Sequence, residues 1–202
     1  MLVDPLPETV EIGGKEYVIN TDFRVSVLYE LLMQDDEVSD REKVRQALLL
    51  YYPEIPNDVR EAVHKILWFY GCGKAKPGKQ QDQEQSEDEA IAETEKVYSF
   101  EYDDGYIYAA FMSQYGIDLA DIEYLHWWKF RAMFKALEEK TEFMKIIGYR
   151  SVDITSKMPE EQKKYYRRMK SIHALPVSEK EQEAEDKIIE ALRNGQSLDG
   201  LL

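Results

Sequence analysis

Apolar positions along this chain change period early. Val10-Glu11-Ile12 and Tyr17-Val18-Ile19 alternate or run apolar around Gly13-Gly14, which predicts two short strands joined by a tight turn. From Thr21 the spacing turns helical. Thr21 or Asp22 is placed to cap a helix through Met33. Ser39 with Glu42 makes a capping box before Val44, Ala47, Leu48 and Tyr51, and Pro53 ends that helix. Asn57 is placed to cap a third, with the stripe Val59, Val63, Ile66, Leu67 and Tyr70 closing at Gly71.

The pattern then stops. Lys74 to Lys96 is Lys, Gln, Glu, Asp and Ser with almost no large apolar residue. Such a segment buries too little to offset ordering entropy, so it reads as a linker, with a polar helix over Glu87–Lys96 as the alternative. Patterning resumes at Phe100. Asp103 or Asp104 is placed to cap a helix with the stripe Ile107, Tyr108, Phe111, Met112 and Tyr115, closed by Gly116. A longer helix is predicted from Asp118 or Asp121 to about Leu137, apolar on more than one side through Tyr124, Trp127 and Trp128. Thr141 and Glu142 open a short helix through Ile147, closed by Gly148. Pro159 begins a basic helix over 160–174, and Ser178 with Glu181 caps a last one. The expected fold is mainly α, a multi-helix bundle with a short N-terminal β-hairpin. The expected organisation is a hairpin plus helical lobe over 1–73, an acidic linker over 74–98, an aromatic-rich helical lobe over 99–176, and a C-terminal helix and tail over 177–202.

Composition narrows the classes of function. The chain has 202 residues, 44% of them hydrophobic, and a formal net charge of −14. That charge argues against neutralising phosphates, so no nucleic-acid partner is expected. It suits solubility or a basic partner. A single cysteine, Cys72, excludes an intrachain disulfide and fits a reducing compartment. The first residues lack the pattern of a signal peptide, and no apolar run reaches the length of a spanning helix. The expectation is a soluble intracellular protein with no membrane partner.

Candidate chemistry is sparse. His64, His126 and His173 lack metal-ligand spacing, and Gly71-Cys72-Gly73 lacks the context of a phosphate loop. No catalytic residue, cofactor or metal is therefore expected, and the protein is read as a binder rather than an enzyme. The carboxylates Glu101/Asp103/Asp104 and Asp118/Asp121/Glu123 stand where helix starts favour negative charge. His126 reads as a satisfied core histidine. Trp127 and Trp128 point about 100° apart on a helix. Either one anchors the core while the other meets a partner, or both are buried. Tyr124, Trp127, Trp128 and Arg131 are the candidate protein-binding residues. Lys163, Lys164, Arg167, Arg168 and Lys170 form a basic face, read as solvated or as paired with acids such as Glu179–Asp186.

A family resemblance sharpens this. Asn20-Thr21-Asp22-Phe23-Arg24, Tyr52-Pro53-Glu54-Ile55-Pro56, Leu67-Trp68-Phe69-Tyr70, Phe100-Glu101-Tyr102-Asp103, Tyr115-Gly116-Ile117-Asp118-Leu119, Leu125-His126-Trp127-Trp128-Lys129-Phe130 and Gly148-Tyr149-Arg150 run through nearly the whole chain. On these residues the chain resembles the gene-product-fifteen family of tailed phages and prophages of Gram-positive bacteria. The resemblance implies a gene between those of the major tail protein and the tape measure protein. It thereby implies a tail assembly chaperone that binds the tape measure protein, with the major tail protein or a further copy of itself as other possible partners. It would act in the host cytoplasm and be absent from the mature virion. The alternative is a minor virion protein of the tail or head–tail connector. A third reading is an acidic DNA-mimic inhibitor, which would need carboxylates arrayed on one face.

Overall fold

A computed structural model describes residues 5–73 and 97–176, together with Arg193. The chain opens with β1 (Thr9–Ile12) and β2 (Lys15–Val18), paired antiparallel with Val10 opposite Tyr17 and Ile12 opposite Lys15. Gly13 and Gly14 make the turn at φ of 58° and 75°, a region that favours glycine. Val10 and Ile12 face the core, while most of β2 faces out. The turn is tied to the helices by the Gly13 amide, which donates to Glu61 Oε2 at 2.9 Å.

Seven helices follow among the described residues: α1 (Phe23–Gln34), α2 (Asp40–Tyr51), α3 (Val59–Tyr70), α4 (Asp104–Tyr115), α5 (Trp127–Lys135), α6 (Glu142–Ser151) and α7 (Glu160–Ile172). The fold is mainly α with a short β-hairpin, as expected from the pattern. Asp22, Ser39 and Thr141 accept backbone N–H bonds at the starts of α1, α2 and α6. Gly116 closes α4 in the left-handed conformation at φ 66°.

Four expectations are corrected. Asp58 caps α3 in place of Asn57, its side chain accepting from the Glu61 amide. α6 runs through Gly148 to Ser151, because that glycine keeps a helical φ. Asp103 stands at the start of α4 but makes no cap bond; its carboxylate is turned to Arg150 instead. The longest correction is α5, which begins at Trp127 and not at Asp118 or Asp121. Residues 116–126 are irregular because α1 claims their backbone. Arg24 Nη2 takes the carbonyls of Leu119 and Ile122 at 3.1 and 2.7 Å. The Phe23 amide donates to the Leu125 carbonyl, the Trp127 amide donates to the Thr21 carbonyl, and Asp22 and His126 form an isolated β-bridge. Carbonyls engaged this way cannot serve a helical ladder.

The hairpin, α1–α3 and α4–α6 contribute to a single core. Ile12, Phe23, Tyr51, Ile66 and Phe69 from the first segment join Phe100, Ile107, Phe111, Trp127, Phe130 and Phe143 from the second in one buried cluster. Of the expected linker over 74–98, residues 74–96 lie outside the described residues, while Val97 accepts from Arg150 and Tyr98 packs against the core, so those two belong to the body. The expected helix and tail after Pro176 also lie outside the described residues, Arg193 excepted.

Candidate protein-contact site

The four candidate binding residues lie on α5 and the loop before it, and they go separate ways. Trp127 is the core anchor, with 0% exposure. Its ring stacks on Tyr70 at 5.4 Å and on Phe130 at 5.6 Å, and its Nε1–H donates to the Tyr70 carbonyl at 2.8 Å. A side chain so placed has no surface to offer a partner. Phe130, one turn on, stacks with Phe23 of α1 at 4.8 Å and Phe111 of α4 at 5.0 Å. Trp127 and Phe130 thus lock the two segments of the chain together through rings.

Trp128 is half-buried on another side. It meets Trp68 edge-on at 5.6 Å, and its Nε1–H donates to the Phe69 carbonyl at 2.7 Å. Gly73 lies beneath it at φ 80°, where a Cβ would come within 3.1 Å of the indole. The two tryptophans therefore divide as core anchor and partly covered neighbour. Tyr124 keeps 49% of its surface free, although its hydroxyl shares a 2.7 Å hydrogen bond with Thr21 Oγ1. Arg131 packs its guanidinium 5.5 Å from the centres of both Tyr70 and Trp127. The four do not form one patch, and Tyr124 is the most exposed of them.

Arg131 belongs to a half-buried polar cluster that sequence reasoning missed. The Tyr70 hydroxyl donates to Glu30 Oε2 at 2.5 Å. Burial, reinforced by the charge of Glu30, raises both the Tyr70 and Tyr98 hydroxyls above the ordinary phenol range. Burial opposes the charge of Arg131, and the charge of nearby Glu30 is among the contributions that more than offset it, so its pKa lies above the ordinary value. No sequence spacing joins Glu30, Tyr70, Tyr98 and Arg131, since each comes from a different element. A second such contact is Asp103 with Arg150. Arg150 Nη1 and Nη2 donate to the two Asp103 oxygens at 2.6 and 2.8 Å, with side-chain exposures of 10% and 1%. The same guanidinium donates to the carbonyls of Val97 and His173 at 3.0 and 2.6 Å.

His126 is buried and fully engaged. It caps α5: Nδ1 accepts from the Trp128 amide at 3.0 Å and Nε2 faces the Pro7 carbonyl at 3.2 Å. Desolvation lowers its pKa from the usual value, so the neutral ring with hydrogen on Nε2 is the form the fold holds. The core reading of His126 holds, with a capping role added. Asp118 Oδ1 accepts from the amides of Ala120 and Asp121, so that carboxylate does shape a turn. Among the described residues no group of three or more His, Cys, Asp or Glu side chains is placed to hold a metal ion, and no helix is long and apolar enough to cross a membrane.

The class comes first: a mainly helical protein with a short β-hairpin, whose aromatic motif is internal mortar. The model of the family described as "Bacteriophage Gp15 protein" matches residues 2–175, and the chain belongs to that family. It is thus a bacteriophage protein of the structural or assembly kind. No curated protein and no solved structure gives a significant match.

Proposed function

We propose that this protein is a tail assembly chaperone of a phage or prophage of a Gram-positive host, acting by binding and not by catalysis. It covers the tape measure protein in the host cytoplasm and leaves before the virion is complete. The observation that carries this reading is family membership over residues 2–175. The surface supports it. Leu28, Leu49 and Leu67 stand 51%, 52% and 44% exposed on three successive helices, on a chain of net charge −14. A tape measure protein is a long helical chain with apolar stripes, and exposed it would aggregate. Weakly bound copies of a soluble acidic helical protein would cover the stripes and keep the complex in solution.

The test is co-expression of the tape measure protein with and without this chain, with mass spectrometry of finished particles. The chaperone reading expects soluble tape measure protein only in the presence of this chain, and particles that lack it. Unchanged solubility, or stoichiometric retention in particles, rejects the reading; retention makes the protein a minor virion component.

A further inference from the structure

An apolar cleft of about 340 Å³ opens between α1, the first turns of α4 and the loop before α5. Val27 and Leu119 line it, together with the core residues Phe23, Phe100 and Ile107. A space of this size takes one or two large apolar side chains. Its loop wall is pinned from behind by the two Arg24 hydrogen bonds to the Leu119 and Ile122 carbonyls. Gly105, in the first turn of α4, lines it without a side chain, and there is room for one at that position.

The rim is acidic. Asp104 lines the cleft, and Tyr108, also a lining residue, donates to Asp118 at 3.2 Å. That bond holds Asp118 beside the mouth, so two carboxylates, Asp104 and Asp118, flank it. The neighbouring cation, Arg24, is already engaged by Asp22 at 3.3 Å and by the ring of Phe23 at 4.7 Å. Like charge opposes a second copy of this chain as occupant, since each copy carries −14.

We propose that this cleft is the docking point for a helical segment of the tape measure protein that presents a large apolar side chain flanked by Lys or Arg. The proposal rests on the chaperone reading and adds to it the place and the chemistry of the contact. The apolar side chain fills the cleft beside Phe100 and Ile107, and the flanking cations meet Asp104 and Asp118.

Overlapping peptides spanning the tape measure protein test this, titrated against the full chain by fluorescence polarisation. Two variants close the cleft from opposite walls: Gly105→Phe and Ala120→Trp. Each is checked for an unchanged melting temperature. Bound peptides are expected to carry Leu, Ile or Phe flanked by Lys or Arg. A folded blocking variant weakens their binding by about tenfold or more, as loss of a central anchor does. Asp104→Asn weakens it a few-fold and flattens its salt dependence. Wild-type binding that both folded blocking variants retain overturns the cleft and leaves the chaperone reading standing. No peptide bound by the wild type overturns both. Self-association that Gly105→Phe abolishes, without effect on peptide binding, assigns the cleft to a second copy and overturns the proposal.

Discussion

α5 and α7 make opposite use of amphipathic sequence. α5 has nine residues, and its Trp127 and Phe130 are 0% and 1% exposed. α7 has thirteen residues, separates charged from apolar positions clearly, and buries none of them fully. Tyr165 and Ile172 remain 48% and 58% exposed. α7 is attached by polar and ring contacts near α6: His173 stacks on Tyr149 at 5.6 Å, and Arg150 Nε donates to the His173 carbonyl at 2.6 Å. The difference teaches that a periodic stripe marks a side of a helix, not its burial. Burial depends on apolar surface brought from elsewhere, which α1, α3 and α4 supply to α5.

The comparison breaks first at Trp127. Trp127→Ala is expected to cost about 3–5 kcal/mol, because it empties the centre of the ring stack. Urea unfolding measures it, and a loss below about 1 kcal/mol would mean that the rings do not join the two segments. Arg150→Ala comes next at about 3 kcal/mol, since it strands the buried Asp103 carboxylate and frees the Val97 and His173 carbonyls. The same titration read beside Asp103→Asn/Arg150→Ala should recover part of that loss. Trp128→Phe is expected to cost about 1 kcal/mol. It removes the indole bond to the Phe69 carbonyl, but that carbonyl still accepts from the Cys72 amide at 3.0 Å.

His126 gives a smaller effect with a definite sign. Its pKa is lowered in the fold below the unfolded value of about 6.5, so the unfolded chain binds more protons as pH falls through that range. The contribution of His126 is present above about pH 6.5 and is lost as pH drops toward and through the folded value. His126→Asn can still cap α5 without titrating. The stability difference between wild type and variant should therefore shift against the wild type between about pH 7 and 5. A pH-independent difference would reject the neutral-ring assignment. The smallest effect is at α7, where Tyr165→Ala should change stability by no more than about 0.5 kcal/mol. A larger loss would show that α7 packs more firmly than its exposure implies.

Local features were legible in the sequence wherever chemistry acts between near neighbours. The Gly13-Gly14 turn, the caps Asp22, Ser39 and Thr141, and the Gly116 stop all follow from residues within a few positions. Asn57 and Asp58 are both good capping residues, and the one-position error there is a choice between equals. The start of α5 was hidden, because Ile122 and Leu125 continue a helical period that Arg24 interrupts from 95 residues away. His126 was hidden as a cap because histidine is not among the usual capping residues. At the contact site, the division between Trp127 and Trp128 was open in the sequence, and their partners Tyr70, Phe69 and Gly73 settled it. The acidic-rimmed cleft left no trace, since Val27, Gly105 and Leu119 share no motif.

By itself, then, the sequence determined the helical class, the hairpin, most helix ends, and an acidic chain with an aromatic centre. Those properties depend on periodicity, capping and composition, which act over one or two turns or sum over the whole chain. Only the tertiary structure decided which aromatic residues are mortar and which are surface. It alone turned Asp103 from a cap into the partner of Arg150, 47 residues away, and joined α1 to the loop before α5. The physical reason is that burial and charge pairing are set by what packs opposite a residue, and an isolated sequence position does not specify its opposite.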